Sequence, residues 1–289
     1  MEDFADPDWN WEEDDGQFYR VLSETFVFPP PQNIRINMMP FIMSDFSTIP
    51  EHCRGYIPLI QSALVHVPRE RRGRKVGYLT IDESVVEAGT THRRAGLHTD
   101  RHPDQVTRGG RAMITRWCGN ILGGGGLFFG SNVANSCAIT DCSVSEPGPH
   151  GDCEALRATL AERPVRVCQP NRLYWISDTT PHESLPLEQT TYRQFFRLVT
   201  SNVSHWFRKN STANPFGIVP PERCVIVPFD KFEPWNPRLH AEFGNGCQAL
   251  LETFMCAMYR LMDECVLAET DPALLEVTLE SMRRCDVYE

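Results

Sequence analysis

No apolar run in the sequence approaches the roughly 18 residues that a helix needs to cross a bilayer, so no membrane partner is expected. The first fifteen residues, MEDFADPDWNWEEDD, lack the cationic start and apolar stretch of a secretory signal and hold eight acids instead. The chain is therefore expected in the cytoplasm, with the nucleus as the alternative. No Cys-x-x-Cys pair occurs among the 11 cysteines, which argues against a zinc knuckle. Without a secretory signal a disulfide framework is not expected either, and the thiols read as buried and reduced. No internal repeat is present. Positive charge is short: 28 Lys and Arg against 38 Asp and Glu leave a formal net charge of −10, and an acidic protein binds nucleic acid poorly without specificity.

What is there fits one large domain with appendages. The 289 residues are ample for a core, and 41% apolar with 23% charged residues is ordinary for a globular chain. Residues 1–31 read as an acidic arm ending in the stiff spacer Pro29-Pro30-Pro31. Residues 32–235 carry the strand signals. VGYLTI (76–81), AMITRWC (112–118), VRVCQ (165–169), LYWIS (173–177) and YRQFFRLVTS (192–201) are rich in branched and aromatic residues. GGGGLFFGS (123–131) reads as a glycine turn leading into an apolar strand. Short strands at this spacing predict a sandwich or barrel. Residues 34–66 show no clean period, with a short helix expected late in 49–66, and 143–163 reads as an insertion ending in a short helix. Residues 236–289 form a helical extension: apolar residues recur at helical spacing over 240–268, and Asp271-Pro272 opens a second helix.

Charge is uneven. From Arg69 to Arg116 basic residues dominate, including Arg93 and Arg94. This zone is either a solvated face or the rim of a pocket for an anionic small-molecule or nucleotide-like substrate.

The chemistry concentrates in GLHTDRHPD (96–104). On a strand, His98 and Asp100 project to the same face, which suits two ligands of one metal. A mononuclear iron(II) site takes two histidines and one carboxylate and keeps its other positions open. The third ligand must come from elsewhere. His182 ranks first because it follows the strand LYWIS and leads into YRQFFRLVTS; His102 and His150 rank behind it. Asp178 and Glu183 flank His182 and could orient it, while Tyr174, Trp175 and Trp117 are either pocket walls or core.

An HxD, then strands, an insertion, a strand, a histidine and an arginine-bearing strand form an order that resembles the iron(II)/2-oxoglutarate-dependent oxygenases. The resemblance covers about residues 76–201. It implies a mainly β fold with some α, a double-stranded β-helix (jelly roll), and His98, Asp100 and His182 as catalytic iron ligands. It further implies 2-oxoglutarate as co-substrate with O2, and hydroxylation or demethylation of a C–H bond. Arg193 or Arg197 would bind the far carboxylate of 2-oxoglutarate, with Arg193 favoured by its shorter loop from His182. The usual Arg-x-Ser pair is absent, since Gln194-Phe195 and Leu198-Val199 follow the two arginines. Two alternatives stand beside this reading: a cupin-type metal enzyme that does not use 2-oxoglutarate, and a jelly-roll binding protein without catalysis.

Overall fold

The computed structural model describes residues 18–67, 75–100, 106–108, 111–113, 126–200, 203, 205–222, 224–228 and 230–232. The acidic segment 1–17, His102, Trp117 and the expected C-terminal helices lie outside these residues. All described residues belong to the first of two compact units, Met1–Glu233. No described helix is long and apolar enough to cross a membrane.

The described fold is mainly β and antiparallel. Its strands are β1 (Tyr19–Thr25), β2 (Arg35–Ile42), β3 (Val76–Val86), β4 (Val106–Arg108), β5 (Arg111–Met113), β6 (Leu127–Ser131) and β7 (Cys137–Thr140). They continue as β8 (Val165–Val167), β9 (Arg172–Ile176), β10 (His182–Ser184), β11 (Thr191–Val199), β12 (His205–Phe207) and β13 (Val225–Val227). One sheet has the order β1-β9-β6-β11-β3-β2 and a smaller one β10-β7-β8. From β6 to β11 the chain crosses between the two sheets: β6 in the large one, β7 and β8 in the small one, β9 in the large one, β10 in the small one and β11 in the large one.

Side-chain alternation gives the large sheet two apolar faces. Leu79, Ile81, Phe128, Leu173, Phe196 and Leu198 pack with Leu59, Ile60, Ala63 and Leu64 of helix α1 (Ile57–Val65). Their neighbours Tyr78, Leu127, Phe129, Tyr174, Phe195 and Val199 pack on the other side with Cys137 and Ile139 of the small sheet. A sheet buried on both faces explains why LFFGS is buried throughout and runs Leu-Phe-Phe rather than alternating.

Several sequence expectations change here. Residues 19–25, read as part of the arm, form the edge strand β1 beside β9. Strand β2 escaped notice because its period breaks: the register shifts between Ile36 and Met39, and Met38 takes φ 47°. The AMITRWC strand is described only as far as Met113. The insertion's helix is one turn, Arg157–Leu160. The glycine run has a steric reason at its end. Gly126 has φ 135°, and a Cβ there would meet Trp175 Nε1 at 2.6 Å and the Ile176 carbonyl oxygen at 2.7 Å. The six described cysteines are all buried free thiols, as expected.

Candidate functional site

His98 is not on a regular strand. It forms an isolated bridge with His182, and Asp100 lies in the bend that follows. The bridge achieves what a strand was expected to do. His98 N donates to the His182 carbonyl at 3.0 Å, and His182 N donates back at 2.8 Å. A pair that exchanges both backbone hydrogen bonds places its side chains side by side on one face. The imidazole centroids are 4.6 Å apart.

Each imidazole is held through Nδ1: His98 to the Gly96 carbonyl at 2.7 Å, His182 to the Thr180 carbonyl at 3.1 Å. A carbonyl accepts from N–H, so Nδ1 carries the proton and Nε2 keeps its lone pair. Burial pushes both imidazoles down, His98 to about 3; His182 lowers His98 further, and Asp100 opposes the shift in both. Both rings are neutral near pH 7, the form that binds metals.

Asp100 is 7% exposed. Burial pushes its carboxyl up, but Arg197 first and His182 next outweigh that and hold it well below the usual carboxylate range. Arg197 Nη1 stands 3.2 Å from Oδ1. Oδ2 is buried without a hydrogen-bond partner and lies 3.8 Å from His182 Nε2. Adjacent ligand atoms about 2.1 Å from an ion at right angles stand roughly 3.0 Å apart. Among the described residues no three such side chains form a finished ligand set, and Asp100 Oδ2 would have to approach His182 to complete one. The donor types, the free lone pairs and the unpartnered Oδ2 nevertheless fit a divalent metal.

These residues line a cavity of about 430 Å³ that also contains both arginines. Arg193 and Arg197 lie on the face of β11 that carries Phe195, as their spacing of four requires. Arg193 is 1% exposed, and its Nε donates to Ser131 Oγ on β6 at 3.0 Å. Its Nη1 is buried with no partner, and no carboxylate pairs with it among the described residues. Burial pushes its pKa down to about 10, which still leaves it charged. A buried guanidinium with open donors is suited to grip a carboxylate.

Glu183 does not orient His182; it binds Arg157 at 2.8 Å, on the opposite side of β10. Asp178 is buried. Tyr174 is core on the cavity side, though its ring stacks with Phe129, which in turn stacks with His182 at 6.2 Å. Trp175 packs against the helix-side core. His150 takes φ 57° and places its ring 5.6 Å from Phe232. Arg93 and Arg94 of the basic zone do line the cavity. Sequence reading missed Asn37, His92, Lys231 and Phe232 in that lining. None stands in a motif, and tertiary folding alone assembles them.

No protein-family model matches the chain, and no curated protein does. Among solved structures it is similar to AviO1 from Streptomyces viridochromogenes Tue57, at 14% identity and a TM-score of 0.28. That match covers 61% of this chain and 73% of that one. A likeness this loose bears on neither the reaction nor the substrate.

Proposed function

We propose that the chain is an iron(II)- and 2-oxoglutarate-dependent oxygenase that hydroxylates or demethylates a C–H bond. The observation that carries this is the convergence of His98, Asp100 and His182 in one cavity with the buried, carboxylate-free Arg193. The fold reading is a double-stranded β-helix. Its support is the interleaved order β9-β6-β11-β3 in one sheet against His98-β10-β7-β8 in the other.

His98 Nε2, Asp100 Oδ2 and His182 Nε2 would hold the iron, which with 2-oxoglutarate and O2 supplies the oxidising chemistry. The Gly96 and Thr180 carbonyls fix both imidazoles in the ligating tautomer. Arg193 takes the far carboxylate of 2-oxoglutarate in preference to Arg197, which is committed to Asp100. Ser131 aims the Arg193 guanidinium, and so stands in for the serine absent two residues after it. Phe129, Phe195 and Trp206 wall the cavity and keep water from the reacting centre.

A second reading, a binding protein without metal, is favoured by the Asp100–Arg197 pair, which already satisfies half of the carboxylate. One experiment separates the two. Metal-free protein is titrated anaerobically with iron(II), then 2-oxoglutarate, and followed by visible absorption. Wild type should develop a charge-transfer band that His98→Ala and His182→Ala lack. Arg193→Met should bind iron normally and need about tenfold or more 2-oxoglutarate. Absence of iron binding in the wild type would leave the binding-protein reading. Iron without a 2-oxoglutarate band would favour the cupin-type enzyme.

A further inference from the structure

Among the described residues, five cationic side chains and one carboxylate line the cavity: Arg93, Arg94, Arg193, Arg197 and Lys231 against Asp100. Three of the cations have a counterpart. Arg197 takes Asp100 at 3.2 Å and Arg93 takes Asp82 at 2.9 Å, while Arg193 is assigned above to 2-oxoglutarate. Arg94 and Lys231 have no carboxylate at ion-pair distance among the described residues.

These two cations meet at one ring. Arg94 Cζ lies 5.7 Å and Lys231 Nζ 4.7 Å from the Phe232 centroid. Both are held from behind by the backbone or its neighbours. Arg94 Nη1 donates to the His150 carbonyl at 2.6 Å, and Lys231 N donates to Asn210 Oδ1 at 2.7 Å. Only one arm of the Arg94 fork is thereby used, and all three Lys231 donors remain. Burial pushes the Lys231 ammonium down to about 8, with Asp100 opposing. A half-buried cation without a counter-ion is a standing cost that an anionic ligand would remove.

We propose that Arg94 and Lys231 form a second anion subsite that holds an oxyanion of the substrate, a carboxylate or a phosphate, beside the His98–Asp100–His182 group. The substrate is then a small anionic molecule whose apolar body lies against Phe232, Phe129 and Trp206. What the site does with this anion rests on the oxygenase reading; its binding does not.

The test uses the full metal-free chain without 2-oxoglutarate and measures binding of phenyl phosphate, benzoate and neutral benzamide by titration calorimetry. At least one anion should bind, with benzamide about tenfold weaker or worse. Arg94→Met and Lys231→Met should each weaken the bound anion about tenfold, whereas Lys75→Met, which removes an exposed charge outside the cavity, should not. Lys231→Arg should recover most of the loss. The preferred probe identifies the oxyanion as carboxylate or phosphate. Each variant's circular dichroism must match the wild type; Arg94→Gln and Lys231→Gln replace any that does not. Unchanged binding in both variants, equal binding of benzamide, or no binding of either anion would overturn the subsite. Anion binding that persists in a protein unable to bind iron(II) would overturn the oxygenase reading alone.

Discussion

Arg197 Nη1 stands 3.2 Å from Asp100 Oδ1, and it is the hydrogen-bond donor that the buried Asp100 carboxylate has among the described residues. The pair links β11 to the bend after His98, the segment that a bound metal would tie to His182 on β10. Removing the arginine leaves a buried charge without its partner, a change that costs about 3–5 kcal/mol in such settings. Metal-free Arg197→Met is therefore expected to melt well below the wild type. Under the oxygenase reading, iron(II) supplies a new counter-charge, so it should raise the melting temperature more in Arg197→Met than in the wild type. Scanning calorimetry of both proteins with and without iron(II) checks this, and equal shifts would show that Asp100 does not meet the metal.

Acid should act through Asp82 as well. Burial pushes its carboxyl up, but His92 and Arg93 overcome this and hold it at about 2 against an ordinary 3.8. A depressed carboxylate stabilises the fold above its unfolded pKa, and that contribution is lost as pH falls from about 4 through 2. With 20% of the side chain exposed, its size is at most about 2 kcal/mol. Urea midpoints at pH 5 and pH 2.5 should therefore fall further in the wild type than in Asp82→Asn. An identical fall in both would remove Asp82 from the acid response.

Behind the cavity face of the large sheet a second buried carboxylate organises the fold. Glu83 accepts from the Tyr56 hydroxyl at 2.7 Å, from Gln194 Nε2 at 3.0 Å, and from the backbone N–H groups of Gln32 and Ile34 at 2.7 and 2.9 Å. Tyr56→Phe removes one donor to a charged acceptor and should cost about 1.5–3 kcal/mol. Because Gln194 lies between Arg193 and Phe195 on β11 but faces the helix, under the oxygenase reading the same variant should leave iron(II) affinity within about twofold. A stability loss under about 0.5 kcal/mol would mean that water or Gln194 replaces the hydroxyl.

Much of this architecture is legible in the sequence. Branched and aromatic composition marks β3, β6, β9 and β11, because residues that suit a pleated, buried surface are chosen one by one along the strand. The spacing of Arg193 from Arg197 is also local, so that these two share a face follows from the strand period alone; His98 and Asp100 lie off any regular strand, and the bridge to His182 does for them what the period was expected to do. The sequence therefore fixes a mainly β chain and nominates His98, Asp100, His182, Arg193 and Arg197 as one group.

Other features are not local and only the tertiary structure decides them. The bulge at Met38 hides β2, because a single inserted residue reverses the face of everything beyond it. Glu183 leaves His182 for Arg157 because neighbours on a strand point to opposite sides. Arg193 and Arg197 look alike in sequence, yet one faces a hydroxyl and the other a carboxylate, since their partners arrive from different elements. Lys231 and Phe232 reach the cavity from a loop that carries no motif, more than a hundred residues from Arg94. Identity and spacing along the chain determine what each side chain can do; the folding of distant segments onto one another determines which of them meet, and so which charges in this cavity are left for a ligand.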